Sequence, residues 1–197
     1  MKSSDIMMIR AAGDEVEINR NELAQRLGTA RGYSSELIEG CRSRLMKIID
    51  YKCAYIRIPI EKPQENVCDF GFMRVESRNL YNNLKDCDEA FAMALTSGIA
   101  VDRELARLRV ISQAEHFVTD ALASAAIDSF ADHAVKIMSS GLRCAPRFSP
   151  GYGDFSLELQ KPFLERLDGQ GLLGITLSSA YLMTPMKSIT AIMGIKR

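Results

Sequence analysis

The run Ala121-Leu122-Ala123-Ser124-Ala125-Ala126-Ile127 constrains the fold of this chain more than any other stretch. It lies in a helical region that Ser112 can start and Gly141 can stop. The run is apolar almost all round, with only Ser124 interrupting. A helix carrying it is buried on most sides rather than along one stripe. Its alanines let other elements approach closely. At 197 residues, with 47% apolar and 25% charged residues, the chain can build one substantial core. A single domain spanning 1–197 is the expectation.

The remaining pattern is mixed. Residues 6–9 and 16–18 are short apolar stretches that suit strands, and 21–27 reads as a short helix ended by Gly28. Ser34 and Ser35 offer an N-cap, after which Leu37, Ile38, Cys41, Leu45, Ile48 and Ile49 recur at helical spacing. Residues 51–60 read as a strand, 67–75 as a strand or hairpin, and 77–84 as a short helix. The run 91–96, stopped by Gly98, suits a buried strand. Asp102 can cap a helix reaching about Ile111, and residues 157–167 form another helix. Residues 172–177 and 189–195 read as strands joined through Met183-Thr184-Pro185. Strands early, helices in the middle and strands at the end favour α+β over a regularly alternating α/β fold.

Composition excludes several classes. The 25 basic residues match 25 acidic ones, so no basic excess points to nucleic acid. No apolar run is long enough to span a membrane. Met1-Lys2-Ser3-Ser4-Asp5 does not open a signal peptide, because the apolar part that follows is short and broken by Arg10. A cytoplasmic location is expected. The five cysteines, Cys41, Cys53, Cys68, Cys87 and Cys144, stand singly, which argues against a disulfide framework and against zinc or iron–sulfur binding. His116 and His133 are too far apart for a metal pair on one helix face, and both read as structural or surface residues.

The stretch Arg147-Phe148-Ser149-Pro150-Gly151-Tyr152-Gly153-Asp154 carries the candidate chemistry. Proline fixes its own φ and biases Ser149 toward extended backbone. Glycine lets a ligand approach the main chain. Arginine offers a planar fork for a carboxylate or phosphate. Tyrosine adds a flat face with a polar tip. Together they suit a small molecule with an anionic end and a ring. The same residues also suit a plain surface turn after a helix. Asp128, directly after the apolar run, is a second clue, since an ionised carboxylate there is costly unless paired.

The turn from Arg147 to Tyr152, followed by a segment from Leu177 to Ala191 with Leu177, Met183, Pro185 and Ser188 in register, resembles the activation (reactivation) domain of cobalamin-dependent methionine synthase. The resemblance covers residues 147–194, continues more weakly through 121–131 and 91–96, and is only general over the first 80 or so. It divides the chain into an N-terminal α/β part (1–85) and a core bearing the motif (86–197). It implies a curved, mostly antiparallel sheet with long helices packed on it. It also implies that Asp128, Arg147, Ser149, Gly151 and Tyr152 bind S-adenosylmethionine. Asp128 would accept from the ligand's ammonium group, and Arg147 would hold the ligand. Tyr152 and the backbone at Ser149 and Gly151 would complete the site.

The family presents the activated methyl group to cobalamin carried by another domain or protein. One electron from a flavodoxin-like or similar donor reduces cob(II)alamin, and methyl transfer traps the reduced cobalt. No catalytic acid, base or metal ligand is expected in this chain. The resemblance implies a stand-alone activation subunit that docks a corrinoid-dependent methyltransferase such as methionine synthase, with an apolar patch near Tyr152 and residues 183–186 suited to docking. Departures from the family pattern are the missing acid at Ser179 and Ala191 in place of a glycine. Two other readings remain at this level. One is a corrinoid-protein-binding module that has lost S-adenosylmethionine use. The other is an independent methyltransferase, against which stands the absence of a G-x-G-x-x-G turn.

Overall fold

The long helix is present as Gln113–Met138, 26 residues. Ser112 caps it, its Oγ accepting from Glu115 N at 3.3 Å, and Gly141 follows its end in the left-handed region at φ 76°. Every residue of the apolar run except Ser124 is buried. The structure, a computed structural model, describes residues 5–28 and 32–197. Residues 1–4, read above for a leader, lie outside the described residues. In chain order the elements are β1 (Met7–Ala12), α1 (Arg20–Leu27), α2 (Ser35–Ile48), β2 (Asp50–Pro59), β3 (Val67–Asp69), β4 (Arg74–Glu76) and α3 (Arg78–Asn83). There follow β5 (Cys87–Thr96), α4 (Ile99–Ile111), α5 (Gln113–Met138), α6 (Gln160–Arg166), β6 (Thr176–Leu177), β7 (Met183–Thr184) and β8 (Ser188–Lys196).

β1, β2, β5 and β8 form one antiparallel sheet in that order, as the α+β reading expects. Side chains alternate across a strand, and β5 shows what this achieves. Phe91, Met93 and Leu95 enter a core shared with α2, α4 and α5. Ala90, Ala92 and Ala94 enter a second core shared with α3, α6 and the β3–β4 hairpin. Both faces are covered from Ala90 onward, so β5 is continuously apolar over Ala90–Leu95 rather than alternating with polar residues. In the first core Tyr51 of β2 stacks on Phe130 of α5, with centroids 4.6 Å apart, and its hydroxyl donates to Ala126 O at 3.3 Å.

Four expectations require correction. Residues 16–18 form no strand, although Val16 and Ile18 are buried. Residues 172–177 are not one strand: Gly169–Leu173 is a π-helical turn, and only Thr176–Leu177 pairs. Left-handed Asp168 (φ 48°) and Gly174 (φ 70°) bracket that turn and prevent an extended run. Asp102 does not cap α4; Gly98 does, at φ 84°, and Asp102 Oδ2 instead accepts from Met186 N at 2.8 Å. The helix expected over 157–167 begins as a 3-10 turn before α6.

Phe130→Ala should cost about 3–5 kcal/mol, because it empties a fully buried site between α5 and β2. Urea unfolding followed by circular dichroism measures this. A loss under about 1 kcal/mol would show that the two layers do not depend on the stack.

Candidate functional site

The site begins at a sheet edge. Beyond Gly141 the chain runs along the outer side of β8. Ala145 N donates to Gly194 O and Phe148 N to Ile192 O, while Ile192 N returns a bond to Phe148 O, each at 2.8 Å. This pairing covers the edge and fixes Arg147 beside it. The chain then turns sharply: Tyr152 N donates to Ser149 O at 3.1 Å, and Gly151 N to Phe155 O at 2.7 Å. Gly153 needs to be glycine twice over. Its φ is 56°, and a Cβ would lie 2.2 Å from Asn79 Nδ2.

Asp154 ties this turn to α3. Its carboxylate accepts from Ser77 Oγ, from Arg78 N at 2.8 Å and from Asn79 N at 3.2 Å. The two amides are orphan donors of the helix start, so Asp154, 75 residues beyond Asn79, helps Ser77 to cap α3. The bonds hold the Asp154 carboxyl below its ordinary range, the Ser77 hydroxyl contributing most. Asn79 and Asn83, four apart on α3, thereby face the turn across a cavity of about 620 Å³.

That cavity is lined by Asp128, Arg147, Phe148, Ser149 and Tyr152, by Asn79, Asn83 and Gly153, and by Ile189 and Ala191 of β8. Of the five expected residues, Asp128, Arg147, Ser149 and Tyr152 share its walls; Gly151 does not, and Gly153 stands there instead. Ser179 is exposed in the turn between β6 and β7 and does not line the cavity. Tyr152 is 65% exposed at the rim. Leu182 and Met186 are also exposed and line no part of this cavity, while Met183 packs partly against the second core.

Asp120, Ser124, Asp128 and Asp132 recur every four residues on α5 and so form one polar stripe. Three cations from three other parts of the chain meet it. Lys187 Nζ lies 2.7 Å from Asp120 Oδ1 and donates to Ser124 Oγ at 2.8 Å. Arg26 of α1 donates to Asp128 Oδ2 and, at 2.9 Å, to Glu22 Oε1. Arg147 Nη2 donates to Asp132 Oδ1 at 2.8 Å, while its Nη1 is buried with no partner among the described residues. Asn83 Oδ1 is likewise buried and unpartnered. Such orphan groups are costly, and a ligand bringing the matching atom would relieve that cost.

Burial pushes the Asp128 carboxyl up to about 6, and the neighbouring Glu22 carboxylate adds to the rise against the opposing pull of Arg26 and Arg147. No group of three or more His, Cys, Asp or Glu among the described residues is arranged to hold a metal ion, and no helix there is long and apolar enough to cross a membrane.

Sequence reasoning missed Asn79, Asn83, Gly153, Arg26 and Asp132. The spacing of Asn79 to Asn83, and of Asp128 to Asp132, was a readable signal on predicted helices. Nothing local announces Arg26, whose partner is 102 residues away.

Fold and cavity together define an α+β domain with a ligand-sized pocket at one edge of its sheet. Among solved structures, the chain is similar to the crystal structure of the MetH reactivation domain bound to AdoHcy, with a TM-score of 0.71 over 96% of this chain and 78% of that one, at 13% sequence identity. The likeness establishes a common fold. No protein-family model matches the sequence, and no curated protein matches it significantly.

The raised Asp128 pKa has a measurable sign. Between the ordinary 3.8 and about 6 the folded protein holds a proton that the unfolded chain has released. Asp128 therefore lowers stability progressively as pH rises through that window. Thermal melts of Asp128→Asn and the parent protein from about pH 4 to 7 should show the variant gaining relative stability as pH increases. A difference that stays flat with pH contradicts the raised pKa.

Proposed function

We propose that this chain binds S-adenosylmethionine and presents its methyl group to a corrinoid held by a partner enzyme of the methionine synthase type. One observation carries the reading: Asp128, Arg147, Ser149 and Tyr152 border a single cavity in a fold similar to a domain solved with AdoHcy. AdoHcy is what S-adenosylmethionine becomes on losing its methyl group. The cavity volume lies within the range of about 300–1,000 Å³ common for small-molecule sites.

The roles follow from charge and shape. Arg147, with one buried nitrogen lacking a partner, suits the carboxylate of the ligand's amino-acid end. Asp128 suits the ammonium. Tyr152 offers an exposed ring at the rim that the adenosine can cover. Asn79 and Asn83 add amide groups on the opposite wall. The chain's own contribution is binding and orientation, which aims the sulfonium methyl at an acceptor outside the cavity. The corrinoid supplies the nucleophile that takes the methyl group, and a separate flavodoxin-like donor supplies the electron.

A second reading is a module that docks a corrinoid protein without using S-adenosylmethionine. The internal partners of Asp128 and Arg147 favour it, because both charges are already paired within the chain.

Calorimetric titration with S-adenosylhomocysteine separates the two. The parent protein should bind, and Arg147→Ala should weaken binding about tenfold or more, since it removes a charge-assisted contact. Absence of binding, both alone and with a methionine synthase lacking its activation domain, sinks the first reading and leaves the second.

A further inference from the structure

We propose that Arg26 and Asp132 are internal counterions standing in for the two charged ends of an amino-acid-bearing ligand, and that ligand binding exchanges them. This deepens the reading just given and rests on it.

The geometry is complementary on both sides. Asp128, on the cavity wall, holds the guanidinium of Arg26, a cation that competes with a ligand's ammonium for the same carboxylate. Arg147, also on the wall, donates through Nη2 to the Asp132 carboxylate at 2.8 Å, an anion that a ligand carboxylate gripped by both guanidinium nitrogens would have to replace. Neither Arg26 nor Asp132 lines the cavity. Both charged wall residues are therefore already paired, charge for charge, by side chains that lie outside the cavity.

Both stand-ins can leave without stranding a charge. The Asp132 side chain is 59% exposed and returns to water. Arg26 keeps Glu22, four residues earlier on α1, as its partner at 2.9 Å. α1 contributes no buried residue, so moving the Arg26 side chain disturbs no part of the core. The exchange swaps two partly exposed ion pairs for two pairs with the ligand. Affinity is then set by the difference, and it falls short of what the two charged wall residues could give an unpaired site. The device also selects. A ligand carrying both charges replaces both counterions, whereas one lacking the amino-acid end leaves them in position.

The test is calorimetric, with two probes and three proteins. S-adenosylhomocysteine carries the zwitterion; methylthioadenosine carries the adenosine and sulfur without it. Arg26→Gln and Asp132→Asn, at partly exposed positions, should each tighten S-adenosylhomocysteine binding about two- to fivefold and leave methylthioadenosine binding unchanged. If the parent protein binds S-adenosylhomocysteine and the two variants bind it equally or more weakly, the counterion exchange is wrong while the site reading survives. A gain equal for both probes also overturns it, since the effect then has nothing to do with the zwitterion. If no protein of the three binds S-adenosylhomocysteine, the function reading fails and the exchange fails with it.

Discussion

The hydrogen bonds between the segment 143–148 and the outer edge of β8 are the constraint on which the site depends. An unpaired strand edge is a row of donors and acceptors that must find partners. Here the chain itself supplies them, directly after the long helix. The pairing sets Phe148 opposite Ile192, and so fixes where Arg147 leaves the backbone. It also starts the Pro-Gly turn from a defined position, so that Asp154 reaches the first turn of α3. Remove the edge pairing and the cavity loses the relation among its walls: α5, the turn, α3 and β8.

Much of the scaffold was legible in the sequence because local chemistry and global packing agree there. Ser34, Ser77 and Ser112 each cap the helix that follows. The apolar run 91–96 is a buried strand because both sides of the sheet are covered. Reading failed where a distant partner decided the outcome. Asp102 looked like a cap until Met186, 84 residues on, claimed its carboxylate. The stretch 172–177 looked extended, yet left-handed residues at 168 and 174 wound its start into a π turn.

For the candidate site the division is similar. A turn with arginine, proline, glycine and tyrosine is conspicuous, and its arginine and tyrosine do border a cavity. Gly151 does not line the cavity: it serves the turn's bond to Phe155, while Gly153 meets the facing helix. The polar stripe on α5 was half visible. Four-residue spacing marks Asp120, Ser124, Asp128 and Asp132 as one face, but the cations that meet them come from three unrelated stretches. Only the tertiary structure joins those stretches, so local pattern carries no trace of the pairing.

The two sides of β5 differ in a way that bears on divergence. On one side phenylalanine, methionine and leucine reach toward α5; on the other, three alanines meet the opposite layer. A face built from methyl groups has little volume to trade, since any larger side chain forces the layers apart. A face built from large, flexible side chains can exchange shapes among several positions while its total volume stays constant. The side toward the long helix can thus vary extensively in sequence while the alanine side stays small. Architecture of this kind accommodates very different sequences, which suits a shared fold at 13% identity.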